Sequence, residues 1–253
     1  MATPVLPLIR STLFAQYPHV RLAQSTRQGE HSDAPFGFNL GYGLGDDDLR
    51  VTGNIARFAA TVQLEAEDLA FMKQVHGDTI REISEAGIAD DTDALITRQP
   101  GVGLTVRTAD CVPVMLYSPT AGVIAAVHAG WRGSAERITR KAAERLLTEY
   151  DADPETLIAF IGAAAAVCCY EVGDEVAVLF PERWIQKNNE GKTFLDLQGV
   201  NRAQLLEAGL TAEHIDVSNN CTIHDHHIFH SYRRDGDTSG RMLTTLVLRE
   251  EGV

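Results

Sequence analysis

The chain has 253 residues, a formal net charge of −13 at pH 7 and a hydrophobic content of 44%. The acidic charge argues against nucleic acids and anionic membranes as partners, because both bind through clustered lysines and arginines. A chain of this length buries enough surface to fold without a disulfide or a structural metal, so a metal would be functional.

The predicted elements alternate between helix and strand. The segment 28–48 is rich in glycine, aspartate, proline and asparagine and is expected to be mostly loop. Apolar, β-branched runs predict strands at 69–75, 79–83, 94–97, 103–108, 112–117, 122–127, 157–161 and 243–248. Amphipathic spacing predicts helices at 54–64, 134–150 (with Ser134 as N-cap), 174–179 and 200–208. This mixture indicates an α/β (α+β) fold.

A glycine-rich turn follows the hairpin predicted at 112–127. Gly130 and Gly133 would let the backbone of this turn approach a ligand closely. Arg132, beside the N-terminus of the next helix, makes the turn a candidate site for phosphate or another anion. The alternative is that Trp131 anchors the core and Arg132 pairs with a surface carboxylate.

The cysteines and the N-terminus bear on the compartment. Cys111, Cys168, Cys169 and Cys221 form no CxxC pair and are expected to be reduced thiols. The first ten residues carry two prolines and no basic region before an apolar core, so no signal peptide is expected. The most apolar stretch, 157–169, is too short to span a bilayer. We therefore expect a cytoplasmic protein.

Three metal-ligand residues each lie where a predicted strand meets a polar or glycine-containing turn: His76, Cys111 and His128. Strand ends hold a ligand rigidly while leaving one side open. Two imidazoles and one thiolate suit zinc, and three protein ligands leave a fourth position free, as in catalytic sites. Their wide spacing matches no zinc-finger pattern, so the alternative is that each is an ordinary buried residue.

Two later segments also carry functional side chains. The run from His224 to His230 is a candidate second metal site, or else a group of histidines that titrate in solvent. The segment 231–236 mixes a tyrosine with guanidinium groups, which can stack on and hydrogen-bond a base or a sugar. Its alternative is a salt-bridged loop.

Longer motifs occur along nearly the whole chain. They are STRQG at 25–29, FNLGYGLGDD at 38–47, QVHGD at 74–78, RTADCVPVML at 107–116, AAVHAGWRG at 125–133, CCYEVGDEV at 168–176 and SYRRDGDTSGRM at 231–242. In this order they resemble the multicopper polyphenol oxidase (laccase-domain) family, also called the peptidoglycan-editing factor family. The resemblance implies one domain over 1–253, a layered sandwich of mixed β-sheets flanked by helices.

The resemblance also implies a function. It assigns a catalytic metal, zinc or alternatively Cu2+, to the ligands His76, Cys111 and His128. Members similar to this chain act as purine nucleoside phosphorylases on adenosine, inosine and methylthioadenosine, and also deaminate adenosine. The implied partners are a small nucleoside and phosphate, with no nucleic acid and no membrane. The expected substrate-binding residues are Arg132, Asn39, Tyr232 and Arg233.

Other interpretations stay open. Some family members are described as copper-dependent polyphenol oxidases and others as hydrolases that edit peptidoglycan precursors, although one triad cannot hold a multicopper cluster. A metal-free hydrolase using Cys111 and His128, or a structural zinc protein acting as a binding module, is also conceivable. Two departures from the family pattern bear on the pocket: four alanines follow Gly162, and His224 replaces the second cysteine of a Cys-Thr-x-Cys segment.

Overall fold

The computed structural model describes residues 6–29 and 36–250. In these residues the strands are Leu8–Ile9 (β1), Val20–Ser25 (β2), Leu69–Met72 (β3), Ile80–Glu82 (β4), Gly87–Ala89 (β5), Ala94–Thr97 (β6), Gly103–Thr108 (β7), Val112–Ser118 (β8), Val123–Ala129 (β9), Ile158–Ile161 (β10), Glu171–Val172 (β11), Ile185–Lys187 (β12), Thr193–Leu195 (β13), Ile215–Val217 (β14) and Met242–Leu248 (β15). The α-helices there are Asp48–Thr61 (α1), Trp131–Ala135 (α2), Ile138–Glu149 (α3), Asp174–Ala177 (α4), Leu197–Glu207 (α5) and Tyr232–Asp235 (α6).

The strands form two mixed six-stranded sheets and a small antiparallel sheet. The first sheet has the order β1-β2-β15-β7-β3-β5, with parallel pairing at β7-β3 and β3-β5. The second has the order β14-β10-β8-β9-β6-β4 and is parallel at its two edge pairs. The third, β11-β13-β12, is antiparallel.

The two large sheets pack face to face between layers of helices. Met72 and Leu104 of the first sheet share one core cluster with Met115 and Phe160 of the second. Helices α3 and α5 cover the outer face of the second sheet, and α1 covers the first sheet through residues such as Phe58. The expected α/β sandwich of mixed sheets flanked by helices is confirmed.

Strand β8 shows why the central strands read as continuous apolar runs. Its side chains alternate, so that Met115 and Tyr117 face the inter-sheet core while Val114 and Leu116 face the helices. Both faces are therefore buried, which favours apolar residues at every position. The same alternation turns Cys111, just before β8, toward the space between the sheets.

Several predicted boundaries were wrong, the most consequential in the helix expected at 134–150. It is interrupted at Arg137, whose φ is 65° in the left-handed region, and α2 is capped by Gly130 instead of Ser134. The Ser134 hydroxyl is buried and accepts a hydrogen bond from Asn201 Nδ2 at 2.9 Å, so it is not available as a cap. The apolar pattern continues through the interruption and hides it.

Two other boundaries have local causes. Helix α1 starts at Asp48, earlier than expected, because the Asp47 side chain accepts from the backbone N–H groups of residues 49 and 50. Strand β3 ends at Met72, because the Gln74 amide bonds both backbone groups of Arg107, at 2.8 and 2.9 Å. Of the loop expected at 28–48, residues 30–35 lie outside the described part of the chain.

No helix within the described residues is long and apolar enough to cross a bilayer.

Candidate metal centre and substrate cavity

Three ligand residues from distant parts of the chain meet at one end of the space between the sheets. His76 lies in the turn between β3 and β4, Cys111 precedes β8, and His128 is near the end of β9. One ligand atom from each lies within 4.8 Å of the other two. The β8–β9 register, in which Val112 faces Ala129, explains the proximity of Cys111 and His128.

Asp93, which sequence analysis missed, holds both histidines in place. It is fully buried, and its Oδ1 accepts hydrogen bonds from the His76 backbone N–H at 3.0 Å and from His128 Nδ1 at 2.8 Å. Its Oδ2 accepts from the backbone N–H groups of Gly77 at 2.7 Å and Val75 at 3.3 Å. A carboxylate behind a histidine is the usual way to orient a metal-binding imidazole.

The glycines of the 128–133 turn leave room for neighbouring side chains and backbone. A Cβ at Gly130 would lie 3.0 Å from His76 Cδ2 and 3.3 Å from Cys111 Sγ. A Cβ at Gly133 would lie 2.7 Å from the Gly77 carbonyl oxygen. The expectation that these glycines admit a ligand to the backbone is therefore replaced by a packing role, since they make room for the His76 turn.

The electrostatics of the triad favour a thiolate at Cys111 and a protonated imidazole at His128, which must release its proton before it can bind an ion. Burial raises the pKa of the Cys111 thiol, but His128 and His76 beside it outweigh this effect and lower the pKa to about 6. Burial lowers the pKa of His128, but the Cys111 thiolate and Asp93 raise it to about 9. A thiolate is the form that binds metals. Two imidazoles and a thiolate, beside a glycine that leaves the space clear, fit zinc or copper.

A cavity of about 690 Å³ opens beside the triad, within the usual size range of small-molecule sites. Two tyrosines, Tyr170 and Tyr232, contribute to its wall. Its cationic lining residues are Lys73, Arg107, Arg233 and Arg241. The carboxylates of Asp110 and Asp237 also line it, so cations outnumber anions there, in contrast to the acidic composition of the chain.

Arg107 and Arg241 both line this cavity and are close enough to interact electrostatically. Burial lowers the pKa of both groups, and the positive charge of Arg241 lowers the pKa of Arg107 further. Among the described residues, no carboxylate forms a salt bridge with either guanidinium. Arg107 Nε is buried and has no hydrogen-bond partner within the described chain. At Arg241 the effect of burial is opposed by nearby acidic groups, including the Asp110 and Asp237 carboxylates, which form no ion pair with it. Half-buried guanidinium groups without an ion-pair partner are suited to an anionic ligand.

Asp110 connects the Cys111 turn to the opposite wall. Its φ is 95°, its Oδ1 accepts from Thr222 Oγ1 at 2.6 Å, and its Oδ2 accepts from the Arg233 backbone N–H at 2.7 Å. The Arg233 guanidinium carbon lies 5.2 Å from the centre of the Tyr170 ring. These contacts order the aromatic wall of the cavity beside the triad.

The structure separates the residues predicted to bind substrate. Tyr232 and Arg233 line the cavity, as expected for contact with a ligand. Arg132 does not line it; its exposed guanidinium lies 4.3 Å from the ring centre of Trp131, which packs against the core as in the alternative interpretation.

Asn39 lies behind the cavity wall and is fully buried. Its Nδ2 donates to the Gly41 carbonyl at 2.9 Å and to Asp46 at 3.1 Å. Its Oδ1 accepts from the backbone N–H groups of Gly41 and Arg241, each at 2.9 Å. With its amide engaged in this way, Asn39 positions Arg241 and does not itself reach the cavity.

The histidine run gives no metal-type group within the described residues. His226 and His227 are exposed, with ring centres 3.7 Å apart. His230 is buried, and its Nε2 has no hydrogen-bond partner in the described chain. The expectation of a second site at these imidazoles is not supported by their positions.

Sequence reasoning also missed the two half-buried arginines of the cavity. Arg107 and Arg241 both lie inside motifs that carried the family resemblance, so the signal was present but pointed to no role. Asp93 offered no such signal, because its partners are separated from it by 16 to 35 residues.

Comparison with known proteins agrees with this geometry. The chain is 40% identical to a purine nucleoside phosphorylase of Deinococcus radiodurans over 258 residues, covering 100% of this chain and 97% of that protein. It is 35% identical to an adenosine deaminase, RL5, of an unknown prokaryotic organism, covering 88% and 92%. The crystal structure of YlmD from Geobacillus stearothermophilus superposes with a TM-score of 0.87 at 33% identity, covering 95% and 94%.

The sequence profile described as multi-copper polyphenol oxidoreductase laccase matches residues 21–249. The match takes in all three candidate ligands and both half-buried arginines of the cavity. With the similarities in sequence and in fold, this extent establishes that the chain belongs to the multi-copper polyphenol oxidoreductase laccase family.

Proposed function

We propose that the chain is a metal-dependent purine nucleoside phosphorylase acting on adenosine, inosine and methylthioadenosine. The observation that carries the proposal is the pair of half-buried guanidinium groups, without a salt bridge to a carboxylate among the described residues, in the same cavity as the metal-ligand triad. Relatives of this chain that are named purine nucleoside phosphorylase support the same reaction.

Arg107 and Arg241 are proposed to bind phosphate, in place of the predicted Arg132. A phosphate oxygen pair can accept hydrogen bonds from a guanidinium in a bidentate manner, and its charge relieves the repulsion between the two arginines. Asn39 and Gln74 support them by fixing the backbone of Arg241 and Arg107.

Tyr232 and Arg233 are proposed to hold the nucleoside, with Tyr170 beside them. A purine offers a flat π-face to a tyrosine ring or a guanidinium plane. Phosphorolysis forms a bond from a phosphate oxygen to the ribose anomeric carbon while the bond from that carbon to the purine nitrogen breaks. The cationic and aromatic walls would bring both substrates to the same point.

Zn2+ is the proposed metal for His76, Cys111 and His128, with Cu2+ as the alternative. When bound, the metal supplies Lewis-acid polarisation at the open side of the triad. Asp93 keeps the His128 Nδ1–H directed away from that side, which leaves Nε2 for the ion.

Adenosine deamination is proposed as a second activity of the same cavity. The relative named adenosine deaminase favours it. In this reaction water attacks the carbon that carries the exocyclic amine of adenine, and ammonia leaves. The site that binds the purine would serve both reactions.

The test incubates metal-replete protein with adenosine, with and without phosphate, and separates the products by chromatography. Adenine, hypoxanthine and ribose 1-phosphate are expected only when phosphate is present, and inosine from deamination is expected to accumulate when phosphate is absent. Unchanged adenosine in both would refute the nucleoside activity. Several bound copper ions per chain together with phenol oxidation would instead favour the oxidase.

A further inference from the structure

We propose that Cys168, Cys169 and Cys221 form a second metal site, for a thiophilic cation such as Zn2+ or Cu+. Their sulfur atoms all lie within 4.8 Å of one another, and the Cys168 and Cys169 sulfurs are 3.5 Å apart. The group shares no residue with the triad at His76, Cys111 and His128.

The spacing of the sulfurs suits one shared ion. A Zn–S bond of ~2.3 Å places the sulfurs of a tetrahedral site roughly 3.8 Å from one another. The two segments are already joined without an ion, because Ala164 pairs with Cys221 as an isolated β-bridge and the Thr222 N–H donates to the Ala164 carbonyl at 2.9 Å. The fold therefore brings the thiols together before any metal binds.

Two backbone N–H groups point at the Cys221 sulfur. This Sγ accepts hydrogen bonds from the backbone N–H groups of Ala166 at 3.4 Å and His224 at 3.5 Å. These contacts fix the position of the Cys221 sulfur. Cys221 is buried while Cys168 is exposed, so an ion can enter from solvent and reach a dry inner ligand.

Crowding of the three thiols works against ionisation in the absence of a cation. Burial and the neighbouring sulfurs raise the pKa of Cys168 to about 12, and burial also raises the pKa of Cys169. A bound metal ion removes this penalty because its charge offsets the thiolates. The three thiolates leave the fourth position of a tetrahedral ion to water or another small ligand.

The site would brace the wall of the substrate cavity. Cys169 directly precedes Tyr170, which lines the cavity. Cys221 directly precedes Thr222, whose hydroxyl donates to Asp110 beside the Cys111 ligand. An ion held by the three thiols would tie these two supports of the cavity together.

Metal uptake by the full chain tests the site. Protein stripped of metal by a chelator is kept reduced with a phosphine and titrated anaerobically with Zn2+, Co2+ or Cu+, and bound metal is measured by mass spectrometry after gel filtration. We expect two equivalents of Zn2+ in the wild type, one in Cys168→Ser/Cys169→Ser and one in Cys111→Ser. With Co2+, the sulfur-to-cobalt absorption should be stronger in Cys111→Ser than in the double variant, since three thiolates remain.

A wild type that binds one equivalent of each metal, or a double variant that keeps the second equivalent, would overturn the proposal. The double variant alters only exposed and half-exposed thiols and is expected to fold, as circular dichroism will check. Cys221→Ser, which removes the buried ligand, gives an independent measurement. A thiol count with Ellman's reagent detects a disulfide, and a disulfide in the air-oxidised protein with no metal uptake after reduction would contradict the site.

Discussion

Replacing Asp93 with asparagine isolates the contribution of the carboxylate that orients the triad. The change keeps the shape of the side chain but turns one of its two oxygens into an NH2 group. Each oxygen accepts two hydrogen bonds, Oδ1 from His76 N and His128 Nδ1, and Oδ2 from Gly77 N and Val75 N. In either orientation of the asparagine amide, its NH2 group therefore faces two N–H donors and cannot accept a hydrogen bond from them.

The magnitude follows from these contacts. If the NH2 group replaces Oδ1, His128 loses the acceptor that fixes its tautomer; if it replaces Oδ2, the His76 turn loses two anchors. Loss of such a supporting group weakens metal binding by roughly 10–100-fold, or about 1.4–2.7 kcal/mol. Hydrogen bonds to a charged group contribute ~1.5–3 kcal/mol each, so a measurable drop in the free energy of unfolding is also expected.

The assay compares the Zn2+ affinity of Asp93→Asn with that of the wild type by competition with a chromophoric chelator at fixed pH. Asp90→Asn is the matched control, because Asp90 lies on the same loop but is exposed and 3.9 Å from Lys73. The second equivalent at the three-cysteine site should be unchanged. A Zn2+ affinity within twofold of the wild type, in a folded variant, would refute the role given to Asp93.

Four further predictions rest on the cavity and the core. Arg107→Ala should raise the KM for phosphate by roughly 10–100-fold through loss of a charge-assisted hydrogen bond, while Arg132→Ala should leave it nearly unchanged; equal effects in steady-state kinetics would contradict the assignment. Gly130→Ala, whose φ of −72° tolerates alanine, should weaken Zn2+ binding with less than ~1 kcal/mol change in stability, because the new methyl group crowds His76 and Cys111. Removal of metal by dialysis against a chelator should abolish phosphorolysis yet keep the far-UV circular dichroism spectrum, since the apolar cores are independent of the triad; unfolding would favour a structural metal. Burial lowers the pKa of His230 from 6.5 to about 3, so its contribution to the free energy of unfolding is fully present above pH 6.5 and is lost as the pH falls toward 3, by up to ~1.4 kcal/mol per pH unit. In urea titrations His230→Asn should reduce this dependence of stability on pH. An unchanged pH dependence would show that His230 does not cause it.

Strand prediction succeeded where burial alone determines the sequence. Residues 94–97 and 103–108 are strands with the predicted bounds. Both faces of each strand are buried, so the apolar run in the sequence ends where the burial ends. Helix prediction failed at Arg137, since a left-handed residue interrupts a helix without disturbing the apolar spacing on either side. The local spacing of apolar residues indicates which face of an element is buried, but it does not indicate where the backbone changes direction.

The candidate site was predictable only in part, for a related reason. His76, Cys111 and His128 are residue types that bind metals, so their chemistry singles them out before their proximity is known. Asp93 and Arg241 act through partners far along the chain, and a carboxylate or guanidinium at those positions reads as an ordinary surface charge. Pairing such as that of Asp93 with His128, 35 residues apart, becomes visible only in the folded chain.

The β8–β9 hairpin imposes a constraint on its own connecting turn. Pro113 lies opposite His128 in the ladder, so the side chains of Cys111 and His128 emerge on the same side. Because successive side chains alternate, a slip of one residue in this pairing would send His128 into the helix-facing layer. The turn between residues 118 and 123 lies at the far end of the hairpin from the triad. Even so, an insertion there keeps the triad together only when it bulges outward and leaves the pairing of β8 with β9 unshifted.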